Sequence, residues 1–569
     1  MSKFPLGYKK IGKVDLEVLE KQYYEQNYQD EGKYAPFQIE GLQNYNPLYN
    51  EIFELTPTNY DSISLNHKYH FLDLNKVHDS SSDIILSKDS FIKFSPLLDP
   101  VRFLIGKYQK KDIDVHSITD LPAINKIVHP KLETIHNASY VDNFFCYLSS
   151  QLLNLNGLVN GIDYYGSFLG VQNKYKINVA DDIEYLNQSD FFLKGCNSFY
   201  ELDEYEDPFS NFGSRCNKNK LEIHNNSEVS NISVLEMDVL DEVDSDKLEG
   251  QTEELLYEKD GSTNDSSDDE SNNSEMNYTS DENEEEDDEE EDEEEEDDEE
   301  EDDEEEDDEE EDDECSSEQE EPTIFAYIKN FPVQMICLEK CQGTIDELFS
   351  KGQIDENTGA SALFQVIMTL IAYQKVFHFT HNDLHTNNIV YLETNQEFIY
   401  YKYDGNIYKV PTYGKIFKVI DFGRAIYKLN GKVYCSDSFD VGGDASTQYN
   451  CEPFFNENKP RLEPNYSFDL CRLGCSIYDF ILDEDYCEDD ETDELQRTII
   501  RWCSDDNGKN VLYKKNGDER YPNFKLYKMI ARSVNKHVPS DQLEDPYFNQ
   551  FLCQEKPDSF VDIDSIPIF

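Results

Sequence analysis

Two short segments in the second half of the chain carry residue types whose spacing could do chemistry. The first is His381-Asn382-Asp383-Leu384-His385-Thr386-Asn387-Asn388; the second is Val419-Ile420-Asp421-Phe422-Gly423. Moving a γ-phosphoryl group is mostly positioning and charge neutralisation: one carboxylate steers the attacking hydroxyl while other oxygens hold magnesium. Asp383 suits the first role. Asn388, five residues on, offers an amide oxygen to a metal that the base must not touch, and Asp421 offers the other metal contact. The apolar run Ile416-Phe417-Lys418-Val419-Ile420 reads as a strand that brings Asp421 to its C-terminal end, and Gly423 is expected to permit the sharp turn there.

With 32 residues of hairpin-like sequence between Asn388 and Asp421, this conjunction resembles the protein-kinase superfamily, whose loop is written H-R-D-L-K-x-x-N and whose turn is D-F-G. The resemblance implies an α+β, bilobal fold with a small β-rich N-lobe and a larger helical C-lobe. It also implies ATP and Mg2+ (or Mn2+) as cofactors and a divergent eukaryotic-type Ser/Thr protein kinase activity. His381, Phe422 and Gly423 would then be structural. Asn382 stands where many family members carry an arginine that grips an activation-loop phosphate, so switching by that route is not expected. His385 replaces the lysine that touches the γ-phosphate, and H-x-D-L-H-x-x-N is similar to haspin-type kinases and to kinases of aminoglycosides or choline. Richness in Asn, Tyr, Ile, Lys and Asp is similar to kinase-like proteins of giant DNA viruses.

Several flanking elements must position such a site. Apolar residues at spacings of three, four and five predict a buried helix over Ser361 to Phe377, just before the first segment. Val333 to Gly343 reads as a strand, then a polar turn, and Thr344 to Phe349 looks helical. By the resemblance Leu338 would be the gatekeeper, and the backbone of Glu339 to Cys341 would hydrogen-bond adenine. Lys93, in Phe91-Ile92-Lys93-Phe94, is the candidate for the phosphate-gripping lysine; otherwise it snorkels from a strand edge. Asp142 is the only acid in the helical run Tyr140 to Leu153 and would pair with it, and Gly161 to Phe168 looks like the strand after that helix.

No glycine occurs between Gly41 and Gly106, so a G-x-G-x-x-G loop is missing. His78-Asp79-Ser80-Ser81-Ser82-Asp83, between β-like runs Tyr69 to Val77 and Ile84 to Leu86, is the expected substitute, with Ser80, Ser81 and Ser82 capping phosphate. After Gly423 a Ser-, Asp- and Gly-rich segment runs to Pro464, with Cys451-Glu452-Pro453 only a partial echo of the usual A-P-E. Asp469, in Ser467 to Cys475, would anchor the backbone of the first segment; a helix N-cap is its other reading.

Charge bounds the rest. Residues 281 to 314 hold 33 acids in 34 positions, and removing those charges from the net of −73 leaves −40. Like charges at that density do not pack, so 260–321 is expected to be a disordered acidic stretch inside an insertion over 187–321. Such a run suits basic protein partners; direct nucleic-acid binding is disfavoured. The expected order is an extension over 1–60, a first N-lobe part over 61–186, the insertion, a last strand and hinge over 322–343, a C-lobe over 344–555 and a tail over 556–569. Thirteen cysteines without a C-x-x-C pair, no signal peptide and no long apolar run point to a reducing cytoplasm, or a virion, with no membrane span.

Two rival readings remain. His378, His381, Asp383 and His385 could ligate zinc, although H-x-x-H-x-D-x-H misses the usual metallo-hydrolase spacing by one residue. A pseudokinase scaffold with an acidic arm would use the same fold without activity.

Overall fold

The computed structural model describes residues 3–109, 115–116, 118–119, 128–203, 323–482, 492–515, 517–555 and 557–569. The acidic run, its proposed basic partners and most of the predicted insertion lie outside these residues. The described chain is a mixed α+β structure.

Its first organising element is the strand Phe325–Glu339, which begins eight residues before the Val333 start that the sequence suggests. It pairs antiparallel with Tyr164–Asn178 on one side. On the other it meets Ser90–Pro96 and, near its start, Tyr200–Leu202. Ile39–Gln43 completes the five-stranded sheet at the outer edge of Tyr164–Asn178. Side chains of a strand alternate between faces, so Ile336 and Leu338 enter the largest core while Met335 and Cys337 pack with Leu19, Phe37, Phe71 and Val77 on the opposite face.

Beneath this sheet lies the helix Ala138–Asn156. Asn137 caps its start by accepting the Ser139 amide, and Gly157 ends it at φ 70°, a left-handed position where glycine carries no Cβ penalty. The longest helix among the described residues is Glu356–Phe377, five residues longer at its start than the apolar spacing predicts. Asp355 and Thr358 form a reciprocal capping box there, and polar Glu356 and Asn357 fill the exposed first turn. It is long and apolar enough to cross a membrane, but 94% of its apolar window is buried in the protein.

A three-stranded sheet of Gly343–Thr344, Ile389–Glu393 and Lys415–Val419 carries the two chemical segments. Ile389 faces Val419, and the Ile420 amide donates to the Asn388 carbonyl at 3.0 Å, so the ends bearing Asn388 and Asp421 lie side by side.

Three expected boundaries move. Residues 1–60 supply the edge strand Ile39–Gln43 and the buried Leu19 and Phe37, so they are built into the sheet and its core. Residues 187–203 include the helix Asp190–Gly195 and the paired strand Tyr200–Leu202, so the fold continues to Asp203. The last residues also pack: Val561–Asp562 runs parallel to Phe398–Tyr403, and Phe569 meets Phe4 at 4.9 Å. Tyr69 to Val77 is not one run; it folds back as Tyr69–Asp73 and Lys76–Asp79, because Leu74 and Asn75 make a tight turn that takes the Ser90 and Lys88 amides.

Candidate functional site

Lys93 sits opposite Ile336 on the strand Ser90–Pro96. Its ammonium lies 2.7 Å from Asp142 Oδ2 and 2.7 Å from Asp421 Oδ1, joining sheet, helix and turn. Burial opposes a charge there, but the two carboxylates outweigh it and raise the lysine pKa. Asp421 is likewise disfavoured by burial, yet Lys93 holds its carboxyl below the usual range. Asp142 uses its second oxygen to accept the Phe422 amide at 2.9 Å, so one buried carboxylate fixes both the lysine and the Asp421 turn.

The turn differs from expectation in one respect. Asp421 itself takes the left-handed conformation, at φ 63°. Gly423 does not, and a Cβ on it would meet only Asp421 Oδ1, at an ordinary 3.4 Å. The strain therefore sits on the carboxylate-bearing residue, where Lys93 holds it.

The loop over 381–388 is held from below by Asp469. Its carboxylate accepts the His381 amide at 3.1 and 2.9 Å and the Asn382 amide at 2.9 Å. Asp469 thus lies inside the first turn of the helix Phe468–Ile481 and does not cap it. Burial raises its pKa, while His381 and the two amides pull the other way. The His381 ring reaches the Ile420 carbonyl at 2.9 Å. Asn382, at φ 63°, accepts the Tyr449 hydroxyl at 2.9 Å and donates to the Arg424 carbonyl at 3.0 Å. Neutral hydrogen bonds therefore hold the following segment at the position where a phosphate-gripping arginine is absent.

Asn388 donates to the Asp383 carbonyl at 2.9 Å and lies 3.0 Å from His385 Nε2. Burial lowers the His385 pKa, which suits a neutral ring accepting from that amide. With its NH2 group so engaged, Asn388 has its amide oxygen as the end not used in these two contacts. The Asp383 carboxylate is also partnered: Tyr527 donates its phenol to Oδ1 at 2.7 Å, and Arg424 Nε lies 3.8 Å from Oδ2. Arg472 in turn donates to the Tyr527 oxygen at 3.0 Å.

An aromatic cluster locks these parts together. Phe422 is fully buried, 4.6 Å from Phe145 of the Asp142 helix, 5.7 Å from His381 and 6.2 Å from Tyr373 of the long helix. Phe379 stacks on Phe145 at 4.3 Å.

Other expected contacts are redirected. Leu338 is buried opposite Phe91. The Glu339 amide donates to the Asp163 carbonyl at 2.9 Å and the Lys340 amide to the Asp89 carbonyl at 3.3 Å, which removes two backbone donors from the proposed Glu339-to-Cys341 adenine edge. The Glu339 side chain accepts Lys418 at 2.5 Å and the Asp163 amide at 2.7 Å. In the serine turn, the Ser80 amide donates to the Lys68 carbonyl and the Ser81 amide and hydroxyl both donate to Asp79, so Ser80 and Ser81 do not offer those amides to a phosphate. The aspartate wins because its carboxylate is two residues away and already charged. The zinc reading fails geometrically: His378 turns to Tyr466, His381 to Ile420 and His385 to Asn388. Among the described residues, no three His, Cys, Asp or Glu side chains converge to hold a metal ion.

Sequence reasoning missed Tyr527, Arg424, Arg472, Phe145 and the buried Lys418–Glu339 pair. Lys418 alone carried a signal, as a lysine inside an apolar strand. No protein-family model matches the chain, and no curated protein matches it.

Proposed function

We propose that this chain is an ATP- and magnesium-dependent phosphotransferase of the protein-kinase-like type, with a small sheet-rich lobe over a larger helical one. Its acceptor is a serine or threonine hydroxyl of a protein. One observation carries the reading: Lys93 lies 2.7 Å from both Asp142 and Asp421, on a turn whose strand is hydrogen-bonded to the end of the Asp383–Asn388 loop.

Asp421 and Asn388 present oxygens, the donor type that hard cations require. Two protein oxygens suit magnesium, which keeps waters and phosphates for its other positions. When bound, the metal neutralises charge on the phosphates. Lys93 pairs with phosphate oxygens, Leu338 and the Cys341 backbone face the base, and Asp383 accepts the acceptor hydroxyl's proton. Arg424, itself paired with Asp444 at 2.5 Å, lies 3.8 Å from Asp383, and Arg472 reaches Asp383 only through Tyr527. The ten described cysteines are all free, which fits a reducing compartment such as a cytoplasm or a virion interior.

The committed Ser80 and Ser81 amides favour a second reading, a nucleotide-poor scaffold on the same fold. Labelled-ATP transfer to the chain itself, to a basic protein and to choline separates the two. Wild type is expected to label protein serine or threonine, and Asp383→Ala to fall to background. Absence of Asp383-dependent transfer to every acceptor, with no ATP binding, selects the scaffold.

A further inference from the structure

A hollow that shares His78, Ser80 and Asp83 with the serine turn includes none of Lys93, Asp383 and Asp421 in its lining. Its volume is about 430 Å³, and Lys9, Lys10 and Lys13 line it together with His70, His78 and Ser80. The segment is fixed in place: Tyr8–Lys10 pairs with Ile63–Leu65, and Asp15 caps the helix Leu16–Gln26 by accepting the Glu17 and Val18 amides.

Three lysines within five residues are brought to one wall, and none of them makes an ion pair among the described residues. In a chain with 122 acids and 49 lysines and arginines, partners are abundant, so an unpaired cationic cluster is a departure from the chain's own pattern. Gathering like charges is unfavourable unless an anion offsets it. The one acid on the wall, Asp83, is engaged with His78 at 2.9 Å.

A second, independent feature points the same way. His70 borders the hollow, is 6% exposed, and neither of its ring nitrogens makes a well-formed hydrogen bond, the His67 backbone being the nearest group that could take one. Buried polar groups are paired in the great majority of cases. Burial, with His78 and Lys9 nearby, pushes this imidazole down to about 4, so at neutral pH it is an uncharged ring with one N–H to give. The His67 ring lies against it, tilted, with ring centroids 4.1 Å apart.

We propose that this hollow binds a phosphate monoester: Lys9, Lys10 and Lys13 neutralise the dianion, and His70 donates to one of its oxygens. Lysine ammoniums serve phosphate as point charges, and the volume accepts the phosphate with the group that carries it. The site is separate from Lys93, Asp383 and Asp421, and does not depend on the chain being a phosphotransferase.

The test is equilibrium dialysis of the full chain against labelled inorganic phosphate, and anisotropy with a phosphoserine peptide and its serine counterpart, all at one ionic strength. Lys9→Gln/Lys10→Gln/Lys13→Gln changes only exposed side chains, and its unliganded Tm is expected to match wild type. Phosphate is expected to bind wild type and the Lys93→Met variant alike, and the triple variant about tenfold more weakly. His70→Phe, which keeps ring and burial without a donor, is expected to weaken binding in the same direction. Tighter binding of the phosphopeptide assigns the source to a phosphorylated protein; equal binding assigns it to free phosphate. No binding to wild type, unchanged binding in the triple variant, or equal binding of the unphosphorylated peptide overturns the proposal.

Discussion

Asp383 is the residue on which the proposed chemistry turns, and in this structure its carboxylate already receives a hydroxyl. The Tyr527 phenol donates to Oδ1 at 2.7 Å, while Oδ2 faces Arg424 at 3.8 Å. An acceptor alcohol must compete with Tyr527 for that oxygen or use the one beside the arginine. A net hydrogen bond contributes about 1 kcal/mol, so Tyr527→Phe is expected to lower the KM for a protein acceptor about fivefold while leaving the KM for ATP unchanged. Initial-rate kinetics with each substrate varied in turn make the check. A higher acceptor KM would instead assign Tyr527 to orienting the carboxylate. The motif residues themselves were legible in the sequence because Asp383, Asn388 and Asp421 stand at fixed offsets beside apolar runs, although Asp and Asn are common in this chain. Tyr527, 144 residues away, was not, since nothing local to it differs from an ordinary amphipathic-helix tyrosine.

At the scale of elements, the helix Phe468–Ile481 contributes more than packing. It projects Asp469 to the underside of the loop, where three short contacts satisfy the His381 and Asn382 amides. Asp469→Ala leaves two buried N–H groups without an acceptor, at about 1–3 kcal/mol each. A loss near 3 kcal/mol is expected, and with an unfolding entropy of about 2.1 cal/mol/K per residue over roughly 420 folded residues calorimetry would record a fall of roughly 3 °C. A Tm within about 0.5 °C of wild type would mean that the loop is held by its aromatic contacts alone. Element type and order were largely readable: the long helix, the Asp142 helix, the lysine strand and the hairpin between Asn388 and Asp421 follow from apolar spacing and turn residues. What escaped depended on partner choice over distance. The Ser81 amide goes to Asp79, the Glu339 amide to Asp163, and the strain of the turn to Asp421, outcomes decided by which acceptor is nearest and charged. Periodicity carries no information on that choice.

For the whole molecule, the acid-rich segment interrupts the chain between two paired strands, and this placement decides what its removal does. Asp203 donates its amide to the Phe325 carbonyl at 3.0 Å, directly beyond the pairing of Leu202 with Ala326. The two ends of the described chain therefore already meet, and a short loop can join them without pulling either strand from the sheet. Closing a loop costs about 0.6 kcal/mol per doubling of its length, so replacing 206–320 with a linker of about six residues relieves roughly 2–3 kcal/mol of closure entropy. The same replacement removes the 33 acids of 281–314, and with them much of the self-repulsion in a chain of net charge −73. Both effects have one sign. The shortened protein is expected to keep the Lys93-, Asp383- and Asp421-dependent transfer activity and to unfold at a Tm equal to or above that of the full chain. Its labelling of basic proteins, relative to neutral ones, is expected to fall if the run recruits them. A shortened chain that loses its cooperative transition would show that the segment supplies part of the core, against a composition that offers nothing apolar to bury over 281–314.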